Sequence, residues 1–437
     1  MAKTNKATES NPIYTHEGTK AQHINPELEL RRSVMACLLW ENEFYESGQS
    51  ISERIIQTIP LVSPEKVAAI AIESREKMKL RHMPLFIVRE MARLPKHKVL
   101  VADTLSRIIQ RADELAEFMA IYWKDKRQPL SAQVKRGLAE AFGKFNEYEL
   151  AKYNRDNQVK LRDVLFLCHA KPKDRDQELL WKRLIADELV TPDTWEVALS
   201  GGKDKKETWE RLIKERKLGA LALLRNLRNM QQANVDMAVI IDGLANMKVD
   251  RVLPFRFITA ARYAPTFEPY LESDLLKCVN EKPHFEGQTF ILVDVSGSMD
   301  GRISDKSELM RVDAACGVAM IARELCQTAR IFSFSNNLVG IPPRHGFALR
   351  DAIVTSQGHG GTYLGQAVEL INKLPHDRLI VITDEQSHDA LPNPIAKGYM
   401  INVASAQNGI GYGAWTHIDG WSEAVLDYIT VKESSHA

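Results

Sequence analysis

The sequence predicts a two-part fold, an α-helical-repeat body followed by a doubly wound α/β domain. Three observations carry that expectation. Apolar residues recur at three- and four-residue steps almost throughout residues 27–285. From Gln288 onward, short β-branched runs alternate with helical segments, the pattern of a mainly parallel sheet covered on both faces. The 437 residues, 44% hydrophobic and 26% charged, suffice for two or three domains with ample cores.

Residues 1–26 are polar, carry Pro12 and Pro26 and show no sustained period, so they read as a mobile N-terminal arm. Ser63-Pro64-Glu65 then supplies an N-cap, a proline at the first helical position and an acidic first turn ahead of VAAIAIESREKMKL. Ser131 caps a segment in which Val134, Leu138, Ala141, Phe142 and Phe145 share one face. Thr191-Pro192 opens a short helix that Gly201-Gly202 closes. In LGALALLRNLRNM, residues Ala220, Leu223, Leu224, Leu227 and Met230 form the buried stripe, and Arg225 and Arg228 lie on another side as candidates for a cavity wall. Helix density, without a strict repeat period, suggests an α-solenoid body. Beyond Gln288 the strands are FILVDV, ARIFSFS, RLIVITD and YMINVAS. Between them lie MRVDAACGVAMIARELC, with Val312, Ala315, Ala319 and Ala322 at helical steps, and TYLGQAVELINKL. In such sheets the ligand crevice lies beyond the carboxyl ends of the strands.

No run approaches the roughly 20 apolar residues of a membrane span, and MAKTNKATES has no apolar stretch for a signal peptide. The expected setting is cytoplasmic, without a membrane partner. Five cysteines, Cys37, Cys168, Cys278, Cys316 and Cys326, are an odd number with no C-x-x-C pair, which points to reduced thiols rather than a disulfide framework or zinc knuckle. The net charge of +1 conceals an asymmetry. From Glu286 onward there are 11 Lys+Arg and 17 Asp+Glu, a balance of −6, which leaves 47 and 40, or +7, upstream. The helical part is therefore the expected polyanion surface.

The first strand ends in Asp294-Val295-Ser296-Gly297-Ser298-Met299, a D-x-S-x-S arrangement with Gly297 permitting a sharp turn. Thr362 follows Gly360-Gly361 at the head of a helix, and Asp384 ends RLIVITD. Hydroxyls and carboxylates without His or Cys form a hard-oxygen set suited to Mg²⁺, Mn²⁺ or Ca²⁺ rather than zinc. The bland alternative is a capped strand-to-helix turn without metal. The set resembles the metal-ion-dependent adhesion site of von Willebrand factor A domains, and Asp294, Ser296, Ser298, Thr362 and Asp384 match all five positions. The resemblance implies one divalent cation, Mg²⁺ first, with a coordination position left for water or a partner's carboxylate. It implies binding rather than turnover. A D-x-D-x-T phosphoryl-transfer site is the competitor, but Ser296 stands in place of the second carboxylate such chemistry uses. Neither a G-x-x-x-x-G-K-[ST] loop nor H-E-x-x-H occurs. The expectation is a protein that is not an enzyme.

Upstream, Lys135, Arg136, Lys152, Arg155, Lys160, Arg162, His169, Lys171 and Lys173 crowd into residues 135–173 and could contact phosphates from one side of a helix pair. The ordinary reading of such a run is a solvated helix face. Tyr148, Tyr153 and Trp181 are nearby aromatics available to unpaired bases, although spacing places Trp181 in the core.

The stretches LRHMPLFIVREMARLP, LFLCHAKPKD, LGALALLRNLRNM and RVLPFRFITAARYA resemble the TROVE module of the Ro ribonucleoprotein family, and the A-like domain follows in the family's order. The resemblance implies a HEAT-like ring of helical repeats over residues 27–285, closed by a von Willebrand A domain over 286–437. It implies small noncoding Y RNA on the outer basic surface, single-stranded ends of misfolded RNA in the central hole, and cooperation with an exoribonuclease. Y RNA contacts would fall on KYNRD and on the histidine of LCHAKP, here Lys152 and His169. Asp156 departs from the family, which often has a second basic residue there. The expected function is thus a monomeric RNA-binding scaffold in RNA quality control or processing. The alternatives are a metal-dependent adhesion or assembly adaptor and a metal-assisted nuclease, the latter short of the carboxylates of two-metal work.

Overall fold

The computed structural model describes residues 25–35, 48–78, 80–156, 158–200, 204–249, 254–280, 284–303, 309–404 and 413–420, with Tyr14, Gly202, Val252, Ile410 and residues 425, 426, 429, 430 and 433. The arm expected over residues 1–26 lies outside them except for Tyr14, Asn25 and Pro26, as does Cys37.

Helices follow one another from Pro26–Met35 to Glu268–Asn280. Of the two serines expected to cap helices, both stand at the N-cap, but only Ser131 caps through its side chain. Ser63 is extended ahead of Pro64–Glu76, and the Val134 amide donates to Ser131 Oγ at 3.3 Å to start Ala132–Phe142. On that helix Val134, Leu138, Ala141 and Phe142 are fully buried. A Cβ on Gly137 would lie 2.7 Å from the Ala102 carbonyl, so glycine sets how closely this helix approaches Lys98–Ile108. The helices Pro64–Glu76, Lys98–Ile108, Ala132–Phe142 and Leu161–Cys168 pack each on the next in one row. His82–Arg93 and Asp113–Tyr122 begin a second. Such two-row stacking buries one stripe of every helix without a strict sequence repeat. The helix expected to open at Thr191-Pro192 begins instead at Trp195–Ser200. A turn closed by the Thr194 amide on the Pro192 carbonyl at 2.9 Å delays it.

Six strands form one sheet, β1 Phe285–Asp294, β2 Cys326–Phe334, β3 Leu338–Gly340, β4 Arg378–Thr383, β5 Lys397–Asn402 and β6 Thr416–Asp419, in the order β3-β2-β1-β4-β5-β6. All pairs are parallel except β2 with the edge strand β3. Alternation divides β1 between two cores. Ile291 and Val293 join the helix Arg311–Leu325 on one face, while Phe290 and Leu292 join Leu364–Ile371 on the other. The Arg311–Leu325 helix is buried on all sides rather than along one stripe, because the sheet covers one side and the helices Phe255–Tyr263 and Glu268–Asn280 cover another. At Gly317 an added Cβ would come within 2.6 Å of Ile258 Cδ1.

The apolar core is continuous across residue 285. Trp209, Leu224, Phe257 and Leu271 belong to the same cluster as Ile291 and Ile380, whereas residues from Leu30 to Leu184 form a separate one. The first helix also reaches the sheet domain: Pro26–Met35 touches β6, and Arg32 pairs with Glu385, both side chains buried. Both ends of the helical run therefore meet the α/β domain. Cys168, Cys278, Cys316 and Cys326 are free thiols, as the sequence suggests.

Near the C-terminus, Glu433 accepts from Arg378 Nε at 2.6 Å, Lys397 Nζ at 2.9 Å and Tyr399 Oη at 2.9 Å. Burial opposes its ionisation, but these hydrogen bonds outweigh burial and hold the carboxyl at about 2. A depressed folded value means stability present above the ordinary carboxylate value and lost as pH falls toward 2. Glu433→Gln should lower the melting temperature at neutral pH and shrink the loss on acidification from about 4.5 to 2, read by calorimetry. An unchanged acid limb would show that the clamp contributes nothing.

Candidate functional site

The crevice lies where β1 and β4, neighbours in the sheet, end in Asp294 and lead into Asp384. Asp294 accepts from the Ser296 amide at 2.9 Å and from Thr383 Oγ1 at 2.6 Å. Ser296 Oγ and Ser298 Oγ stand 3.2 Å apart. The Gly297 amide donates to the Gly360 carbonyl at 2.9 Å, which draws the Thr362 loop onto the D-x-S-x-S loop. On its other side the Thr362 carbonyl accepts from the His388 amide at 2.8 Å and from Ser387 Oγ at 3.2 Å. Those residues follow Asp384, so the three predicted segments meet. All five side chains are buried, with Asp294 and Asp384 fully enclosed.

Two details differ from the sequence reading. Gly297 turns through a short 3-10 segment without a positive φ. At Gly360 a Cβ would lie 2.3 Å from Asn336 Nδ2, so that side chain would have to move to admit one. Arg311 was not foreseen: its buried Nη1 sits 3.7 Å from Asp384 Oδ2 and 3.4 Å from the Ser298 carbonyl. The only advance signal was its place at the head of MRVDAAC.

Burial first, and then the charge of Asp384, push the Asp294 carboxyl well above the usual carboxylate range. Burial and mutual repulsion thus oppose full ionisation of this carboxyl pair, which stands among hydroxyl oxygens. Among the described residues no group of three or more His, Cys, Asp and Glu converges, so the donors are hydroxyls and two carboxylates. That set fits a hard divalent cation.

Four members of the basic run line two cavities, Lys135 and His169 one of them and Lys152 and Arg155 the other. One, about 500 Å³, is lined by Trp123, Arg127, Lys135, Phe166 and His169 among others. The second, about 890 Å³, is lined by Lys152, Asn154, Arg155, Asp187, Trp195 and Glu196 among others. His169 closes the helix Leu161–Cys168 in the left-handed region, φ +55°, its amide donating to the Phe166 carbonyl at 3.3 Å. Some of the candidate cations are engaged internally. Arg136 pairs with Glu140 at 2.8 Å and Lys160 with Asp156 at 2.5 Å. The Lys160 hydrogen bond in turn depresses the Asp156 carboxyl. The acidic departure at 156 thus offsets one charge of the set. Lys173 lies 3.9 Å from Asp174. Lys135, Lys152, Arg155, Arg162 and Lys171 form no ion pair with a described residue.

The aromatics sort as spacing suggests. Trp181 is buried edge-on against Phe142, with ring centres 5.4 Å apart, and offers no face to a base. Tyr148 is exposed, and Tyr153 is covered by Arg111 at 4.8 Å and Lys152 at 5.7 Å. Arg225 and Arg228 are both exposed.

Fold and site together define a class: a helix-stack body with basic cavities, joined at both ends to a parallel-sheet domain with an oxygen-lined crevice. Residues 182–281 match the TROVE domain model, which covers two of the four family-like stretches and lies C-terminal to the basic run. Telomerase protein component 1 of Rattus norvegicus is 20% identical over 336 residues, covering 56% of this chain and 13% of that protein. The Mus musculus counterpart is 22% identical over 309 residues, covering 50% and 12%. The chain thus spans about an eighth of the length of these relatives. Among solved structures, the Deinococcus radiodurans Ro (RSR) protein superposes with a TM-score of 0.58 at 18% identity, covering 93% of this chain and all of that one. Residues 182–281 thus carry the likeness to the TROVE domain, and the chain shares the fold of the Ro protein.

Proposed function

We propose that the protein is a non-catalytic ribonucleoprotein scaffold of Ro type, binding small noncoding, Y-like RNA and single-stranded ends of misfolded RNA in RNA quality control or processing. The observation that carries this reading is the set of cations without ion-pair partners among the described residues, of which Lys135 lines one cavity and Lys152 and Arg155 another, in a chain whose residues 182–281 match the TROVE domain. Phosphates would neutralise those cations, and their spread suits a folded RNA better than a small anion. A HEAT-like ring closed by the α/β domain is supported by the two-row stacking and by the contacts at both ends of the helical run. A von Willebrand A character for residues 286–437 is supported by the five-residue oxygen set. In this reading a bound Mg²⁺, or Mn²⁺ or Ca²⁺, would be held by Asp294, Ser296, Ser298, Thr362 and Asp384, and would supply Lewis acidity toward a partner's carboxylate. The protein partner at that crevice, an exoribonuclease in the family-based reading, together with cytoplasmic placement and a monomeric state, belongs to the same proposal. RNA crosslinking and sequencing from cells tests it: copurifying small structured RNA supports the scaffold, protein alone supports the adaptor, and fresh cleavage ends support a nuclease.

Metal and RNA should be energetically separate. The basic residues belong to the part whose apolar core runs from Leu30 to Leu184, whereas Asp294 ends β1 and Ser296, Ser298, Thr362 and Asp384 stand in connections of the α/β domain, and exposed charges beyond about 8 to 10 Å are largely screened at physiological salt. Asp294→Ala should therefore shift RNA affinity by less than about tenfold, or 1.4 kcal/mol. Complete release of RNA on chelation, with circular dichroism unchanged, would replace the two sites by one composite site in which phosphate is a metal ligand.

A further inference from the structure

The smaller cavity has a composition that phosphate binding alone does not call for. Phe166 on the helix Leu161–Cys168 is 57% exposed, a large aromatic left in solvent beside His169. Across the cavity the Trp123 indole Nε1 donates to the Gln128 carbonyl at 2.8 Å, which fixes the ring, and the Arg127 guanidinium lies over it at 4.9 Å from the ring centre. Lys135, in the first turn of Ala132–Phe142, lines the same space. Arg127, Lys135 and His169 have no carboxylate partner among the described residues. The volume, about 500 Å³, falls within the roughly 300–1,000 Å³ of small-ligand pockets. An exposed aromatic face beside unopposed cations recognises an unpaired base with its phosphates, because every base presents a π-face and its backbone carries the countercharge. A duplex keeps its bases stacked internally and has none to offer.

We infer that this cavity captures one unpaired base of a single-stranded RNA, stacked on Phe166 beside the Arg127–Trp123 pair, with Lys135 and His169 contacting the flanking phosphates. The inference rests on the RNA reading above and adds to it the kind of nucleotide this cavity takes. It also gives the loop between Trp123 and Leu130 a role: Leu130 is buried and anchors it, while the fixed indole provides a rigid wall.

The test uses the full chain and fluorescence anisotropy with three probes: a short oligoadenylate, an abasic oligonucleotide of the same length, and a blunt RNA duplex. The oligoadenylate should bind about 5- to 100-fold more tightly than the abasic strand. Phe166→Ala should remove most of that advantage and leave duplex binding within about threefold, and Phe166→Trp should restore it, since either ring stacks. Phe166 is on the surface, so its truncation spares the core, and the abasic comparison needs no variant. Equal affinity for oligoadenylate and abasic strand overturns the inference, as does an equal loss on duplex and single strand in Phe166→Ala. Oligoglutamate that competes for the site and is weakened by the same substitution would make the occupant an acidic peptide and also overturn it. If the duplex binds and the bases make no difference, only the base-capture inference fails. If neither RNA binds, the Ro-type reading fails with it.

Discussion

Calorimetric titration of Mg²⁺ or Mn²⁺ should show one cation bound by the unsubstituted chain and none by Asp294→Ala. Asp294 ends the central strand β1, is completely buried, and is oriented by the Ser296 amide and the Thr383 hydroxyl. Loss of an outer-shell partner typically costs about 10- to 100-fold in metal affinity, so loss of a charged ligand should cost more than that. The sharper variant is Asp294→Asn. Its carbonyl still accepts from the Ser296 amide, and its amide nitrogen can donate to Thr383 Oγ1, so the loop keeps its shape while the charge disappears. The fold should survive either change. The Asp294 and Asp384 carboxylates repel each other in an enclosed site, and deletion of one charge relieves that repulsion. The expected pair of results is an unchanged or raised melting temperature without metal, and no added stabilisation when metal is supplied, because a ligand bound only by the folded state stabilises in proportion to its occupancy. Cation binding that persists in Asp294→Asn at the original affinity would place the ion elsewhere and leave the D-x-S-x-S turn as a purely structural cap.

The class of each half was legible because burial imposes periodicity. The runs FILVDV, RLIVITD and YMINVAS have two buried faces, and unbroken apolar character is what two-sided burial requires of a strand. β3 and β6 escaped notice for the opposite reason. β3 is a three-residue edge strand with half-exposed residues, and THID has one apolar residue in four, too little for a strand pattern. The helix Gly346–Val354 was missed as well, its FALRDAIV pattern being too short for periodicity to be distinctive. The site was legible to the extent that its residues share a local motif. Asp294, Ser296 and Ser298 lie on one turn, and the ends of buried strands are where crevices form. Arg311 was not, since its approach to Asp384 is set by how the Arg311–Leu325 helix packs under the sheet, a tertiary fact without a sequence pattern. The division of the basic run into engaged and unengaged cations was hidden for a similar reason. Arg136 with Glu140 and Lys160 with Asp156 are four-residue pairs visible once a helical register is assumed, but which remaining cations share a cavity depends on the stacking of three helices.

That division yields the strongest expectation for RNA. Lys135, Lys152, Arg155, Arg162 and Lys171 lack ion-pair partners among the described residues, whereas Arg136 and Lys160 have theirs. If those five cations each neutralise a phosphate, log affinity should fall with log salt at a slope of roughly −3.5 to −4.5, about 100- to 500-fold between 50 and 200 mM. Lys152→Ala combined with His169→Ser removes one contact from each cavity. The double variant should weaken structured RNA by at least about tenfold at physiological salt and reduce the slope by about one, the share of the lysine. Arg136→Ala is the matched control. It deletes a cation of the same run, but one whose charge is already held by Glu140, so affinity should change by less than about threefold. Measured by filter binding across a salt series, the two substitutions separate cations that face RNA from cations that stiffen helices. Affinity indifferent to salt, or equal losses from the double variant and the control, would mean that RNA does not lie on this face and that the unpaired cations only solvate it.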